Sequence, residues 1–144
     1  MNAARSLVIA LLIGLAGILA KPAWSADNAA TMTRIVVQVN ESDARKWNAI
    51  LGNLRNIQQE LGPKRVAIAV VAIGPGLDML MADSLVANEV QDALAAGVEF
   101  VACENTMHAR KIERADLIDG IGYARAGYVE IVKRQQAGWS YLRP

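Results

Sequence analysis

The chain has 144 residues, with 15 Lys and Arg against 14 Asp and Glu, one histidine and one cysteine. So even a charge balance gives no electrostatic footprint for nucleic acid, and a single cysteine cannot form a disulfide within its own chain. The length suits one domain with its own hydrophobic core.

The first residues carry Arg5, an unbroken apolar or glycine stretch of fourteen residues from Leu7 to Ala20, and then Lys21-Pro22-Ala23-Trp24-Ser25. A spanning helix needs roughly 20 apolar residues. Residues 1–25 therefore read as a secretory signal peptide, with small residues at Ala23 and Ser25 for cleavage before Ala26. Cleavage removes Arg5 and Lys21 but no acid, so about 119 residues remain and the formal charge moves from +1 to −1. The expected location is the bacterial periplasm, with no membrane span after cleavage. In an oxidising compartment an unpaired thiol must be buried, capped or used.

Residues 26–33 read as a polar linker and residues 34–144 as the domain. Ile35-Val36-Val37-Gln38-Val39 is β-branched and suits a buried strand. Ser42 or Asp43 can cap the helix that follows, whose apolar stripe runs through Trp47, Ile50, Leu51, Leu54, Ile57 and Leu61 until Gly62-Pro63 stops it. Val66 to Ile73 is apolar at almost every position, the mark of a parallel strand covered on both faces.

Gly74-Pro75-Gly76 ends that strand and reads as a simple turn, since it has neither dinucleotide-fingerprint spacing nor the lysine and hydroxyl of a phosphate loop. Ser84 is the expected cap of a second helix carrying Val86, Val90 and Leu94, terminated by Gly97 before a strand over Val98 to Ala102. Short helices near Thr106–Lys111 and Asp116–Ile118, a strand near Gly122–Ala126 and a helix over Gly127–Ala137 follow, and the tail Trp139–Arg143 has strand character that suits either an added edge strand or docking over the last helix. This alternation predicts one α/β domain with a parallel or mostly parallel sheet of four to five strands and helices on both faces.

Cys103 stands where the third strand hands over to a helix, so its sulfur faces unpaired N–H groups and the positive end of a helix dipole. It is either a reactive thiolate or a small buried hydrophobe. Arg110 and Lys111 follow within two helical turns and can hold an anionic sulfur donor, whereas Glu104 opposes ionisation if its carboxylate points inward. His108 lies five residues after Cys103, a spacing that puts the two on different helix faces, and it reads as a solvated histidine. One cysteine and one histidine cannot close a zinc site, so no metal and no cofactor are expected. Trp47, Trp139 and Tyr141 read as packing residues.

Four separated segments, taken in order, resemble the DsrE-like (DsrE/TusD-type) sulfur-relay family in its single-domain branch. They are Lys46-Trp47-Asn48 with Asn53, Leu54 and Asn56; Val70 to Gly76; Phe100 to Met107; and Gln135 to Pro144. The resemblance implies a flavodoxin- or Rossmann-like parallel α/β sandwich that assembles as a homotrimer or homohexamer. It also implies a persulfide carried on Cys103, with Asn105 and Thr106 shaping the cysteine loop or holding an anion.

The function expected on that basis is carriage or transfer of sulfane sulfur as a persulfide on Cys103, as carrier or sulfurtransferase. The partners are a low-molecular-weight sulfur donor and an acceptor thiol or protein. The competing expectation is a non-catalytic oligomeric binding or scaffold protein with a structural buried cysteine. A third is an intermolecular disulfide through the unpaired thiol.

Overall fold

The computed structural model describes residues 32–144. The leader read at 1–25, and the linker apart from its last two positions, lie outside the described residues. Five strands, β1 (Thr33–Val39), β2 (Val66–Ala72), β3 (Glu99–Cys103), β4 (Gly122–Ala124) and β5 (Ser140–Leu142), are interleaved with four α-helices. These are α1 (Ala44–Leu61), α2 (Ala87–Ala95), α3 (Glu104–Arg110) and α4 (Gly127–Gln136). β1 opens at Thr33, one residue before the expected domain boundary.

Every strand pairing is parallel, in the order β4-β3-β2-β1-β5. From β1 to β4 the chain steps across the sheet in one direction, so right-handed crossovers place α1, α2 and α3 on one face. The return from β4 to β5 runs the other way and carries α4 to the opposite face. The strand side chains divide accordingly. Val37, Val70 and Phe100 enter the larger core with Trp47, Leu51 and Val90, while Val36, Val71, Val101 and Cys103 pack on the other side around Ile131 of α4. Burial from both sides is why β2 is apolar throughout.

At the start of α1 Asp43 is the cap, accepting from the N–H of Arg45 at 2.9 Å and of Lys46 at 3.4 Å. Ser42, the other candidate, donates instead to Asp78 at 3.1 Å. The Gly74-Pro75-Gly76 turn is more than a turn, because it opens a 3-10 helix, Gly74–Leu80, whose Leu77, Met79 and Leu80 are fully buried. A Cβ on Gly76 would stand 2.3 Å from Val39 O, so only glycine lets this segment cross the end of β1.

α2 begins at Ala87 with Val86 as its cap residue. Ser84 lies before the helix, where its hydroxyl accepts from the N–H of Val86 at 3.4 Å. α3 begins at Glu104, directly after Cys103 and two residues earlier than the pattern predicts, because Cys103 itself takes the extended cap conformation. The short helix expected at Asp116–Ile118 is a 3-10 turn and falls at Arg114–Asp116.

Candidate functional site

Parallel strands bring the ends of β2 and β3 and the start of α4 to one edge of the sheet, the edge where open α/β sheets place ligands. A cleft of about 580 Å³ opens there, lined by Cys103, Asn105 and Thr106 with Gly74, Asp78, Arg110, Gly127 and Tyr128 among others. Cys103 is only 4% exposed, with its side chain in the smaller core.

The sulfur lies at the junction of two helix N-termini. Cys103 is the residue from which α3 springs, and the N–H of Gly127, first residue of the ten-residue α4, donates to Sγ at 3.3 Å. That approach depends on a missing side chain, for a Cβ on Gly127 would meet Ile73 Cγ1 at 2.6 Å and Cys103 Cβ at 3.2 Å.

Thr106 supplies the next contact. Its Oγ1 accepts from the N–H of Gly74 at 2.9 Å, which leaves the hydroxyl proton to be donated to the sulfur. Burial pushes the Cys103 thiol up, but the Thr106 hydroxyl and the N–H groups of Gly127, Thr106 and Asn105 outweigh it and hold the pKa below the ordinary thiol value. Asn105 also donates its N–H to Arg125 O at 3.0 Å, fastening α3 to the connection that leads into α4.

Arg110 donates from Nη1 to Gly74 O at 3.2 Å and from Nη2 to Asp78, whose other oxygen accepts from Ser42. Lys111 is not brought to the cleft. α3 ends at Arg110, and Lys111 takes a left-handed conformation (φ 55°) that turns the chain away, leaving its side chain exposed. His108 is exposed and outside the cleft lining. Glu104 pairs with Arg114 at 2.8 Å, so its carboxylate is engaged away from the sulfur.

Trp47 is buried and donates to Glu41 O, Trp139 stacks under Arg134, and Tyr141 donates to Gln38, all packing roles. Among the described residues no group of three or more His, Cys, Asp or Glu is placed to hold a metal ion. Nor is any described helix long and apolar enough to cross a membrane.

Sequence reasoning missed Gly127, Asp78 and Tyr128 and undervalued Gly74. The available signal was Gly127 itself, a glycine at the first position of an otherwise good helix. Two of the segments that carry the resemblance, Asn53-Leu54-Asn56 and the tail Leu142-Arg143-Pro144, meet around a second hollow of about 370 Å³ between α1 and β5.

Fold and site together define a single-domain parallel α/β protein built around one strand-end cysteine. The sequence profile of the DsrE/DsrF-like family matches residues 29–144, and the chain belongs to that family. Membership suggests a sulfur-relay role in general terms. Among solved structures, the protein of unknown function MTH1491 from Methanobacterium thermoautotrophicum is similar at 35% identity and a TM-score of 0.75, covering 78% of this chain and 99% of its own. The ychN protein from E. coli (15% identity, TM-score 0.63) covers 78% of this chain and 100% of its own. BT1422 from Bacteroides thetaiotaomicron (15%, 0.62), a conserved protein of unknown function, covers 82% and 100%. At that identity the last two share the fold alone. No curated protein matches the chain.

Proposed function

We propose that this protein is a sulfur carrier or sulfurtransferase in which the Cys103 thiolate takes a sulfane sulfur from a low-molecular-weight donor and passes it to an acceptor thiol. The observation that carries this reading is the treatment of the sulfur. A cysteine that served only as packing has no need of an α4 N–H donated to Sγ, nor of a Thr106 hydroxyl beside it that lowers its pKa, whereas a thiolate or persulfide anion has. The chemistry balances without an oxidant. The thiolate attacks the outer sulfur of a donor R–S–SH, the donor's S–S bond breaks, R–S⁻ leaves, and Cys103 ends as Cys103–S–SH. Attack by an acceptor thiolate on that outer sulfur reverses the roles.

The reading includes export to the periplasm through the leader at 1–25 and assembly as a homotrimer or homohexamer. Assembly is supported by Tyr128, Val129 and Val132, which leave one side of α4 apolar and half exposed. Intact-mass spectrometry after incubation with polysulfide tests the central claim. The native protein gains reducible sulfur and Cys103→Ser gains none, while loading that persists in the variant sinks the assignment.

A second reading, an oligomeric scaffold with a structural cysteine, is favoured by the 4% exposure of Cys103. A small alkylating agent separates the two, since a purely structural thiol reacts only after unfolding.

A further inference from the structure

If Cys103 carries sulfur, as read above, the cleft also has features that select the donor. Two side chains of opposite charge share it with the thiol. Arg110 and Asp78 are paired, and the pair is fastened at both ends, Arg110 to Gly74 O and Asp78 to the Ser42 hydroxyl. Yet the two side chains remain 38% and 33% exposed. A guanidinium has five N–H donors and only two are engaged here, while the carboxylate keeps unfilled acceptor sites. A ligand can therefore bind both groups without breaking the pair.

Gly74 links the pair to the chemistry. Its N–H meets the Thr106 hydroxyl beside the sulfur, and its carbonyl meets Arg110. The remaining wall, including Ile73, Pro75, Ala109 and Tyr128, is largely apolar, and the volume of about 580 Å³ falls within the range of small-molecule sites.

These features match one class of donor better than another. Thiosulfate and inorganic polysulfide can react with the thiolate, but as compact anions they offer nothing to Asp78, which repels them, and no stem to lay on the apolar wall, so they load it more slowly. An amino-acid persulfide presents an α-carboxylate to Arg110, an α-ammonium to Asp78, an aliphatic stem to the wall and its outer sulfur to Cys103. From this we infer that the sulfur donor is the persulfide of an amino-acid thiol, recognised as a zwitterion by the Arg110–Asp78 pair. The transfer is the step given above with an amino-acid R group. Its S–S bond breaks, the amino-acid thiolate leaves and takes a proton from water, and the outer sulfur remains on Cys103.

The test follows the loading of Cys103 by intact mass with the persulfides of cysteine, of cysteamine (no carboxylate) and of N-acetylcysteine (no ammonium), and with thiosulfate. Each rate is normalised to the same donor's reaction with a small free thiol. The expected result is loading at least about tenfold faster from cysteine persulfide than from either truncated donor, the loss of one charge-assisted contact. In Arg110→Gln the advantage over cysteamine persulfide collapses, and in Asp78→Asn the advantage over N-acetylcysteine persulfide collapses. Equal normalised rates in the native protein overturn the inference, as does an advantage that survives both substitutions. Loading from every donor without discrimination leaves the carrier reading standing and removes only this one. Failure of all donors to load Cys103 removes both.

Discussion

At Cys103 a single residue answers to two opposed demands, since burial favours the neutral thiol and the surrounding donors favour the anion. Because the donors prevail, the folded pKa is depressed. Ionisation then adds stability that is fully present above the ordinary thiol value and is lost as pH falls through the folded pKa. Thr106→Val removes the hydroxyl that faces the sulfur and orphans the N–H of Gly74. The pH midpoint of Cys103 alkylation is expected to move upward in that variant, with a stability loss of about 1–3 kcal/mol from the unpaired donor, while Thr106→Ser keeps the native midpoint. An unmoved midpoint in Thr106→Val removes the hydroxyl from the account. Much of this residue was legible beforehand, because a lone cysteine at a strand end announces itself. Gly127 shows in the sequence only as a glycine at a helix start, and its contact with the sulfur does not show, since that contact comes from 24 positions away along the chain and is made by the placing of α4.

Elements with a long, regular period were read correctly from the sequence. The stripe read from Trp47 to Leu61 becomes the buried face of α1 as far as Leu54, with Ile57 half-buried and Leu61 exposed at the helix end, and the apolar run from Val66 becomes β2. The 3-10 helix Gly74–Leu80 escaped because Leu77, Met79 and Leu80 fit neither a 3.6-residue nor a two-residue repeat. This element matters to the site, since it delivers the Gly74 N–H to Thr106 and sets Asp78 against Arg110. Its seat is Gly76, where an added Cβ meets only backbone, Val39 O and C and Asn40 Cα, none of which can swing aside. Gly76→Ala is therefore expected to lower stability by at least about 1–3 kcal/mol in urea denaturation and to loosen the cleft. An alanine variant as stable as the native protein would show that the segment has room to shift.

Over the described residues the molecule is a lopsided sandwich. Three helices and a 3-10 segment bury one face of the sheet, whereas among those residues α4 alone covers the other and leaves Tyr128, Val129 and Val132 about half exposed. Sedimentation is expected to give a mass of three or six chains, falling to a smaller species in Val129→Glu/Val132→Glu. A native protein that sediments as one chain withdraws the assembly. Strand-helix alternation was legible in the sequence, but strand order was not. Nothing in Ser140-Tyr141-Leu142 says that it pairs with β1 rather than β4, a choice made by the reversed crossover through α4. The sheet's polarity carries one more consequence. Because β1 runs parallel to β3, Thr33 enters at the opposite rim from the one where Cys103 sits. A tether, a tag or a solid support fused ahead of Thr33 therefore joins the sheet at the rim away from the cleft that holds Cys103.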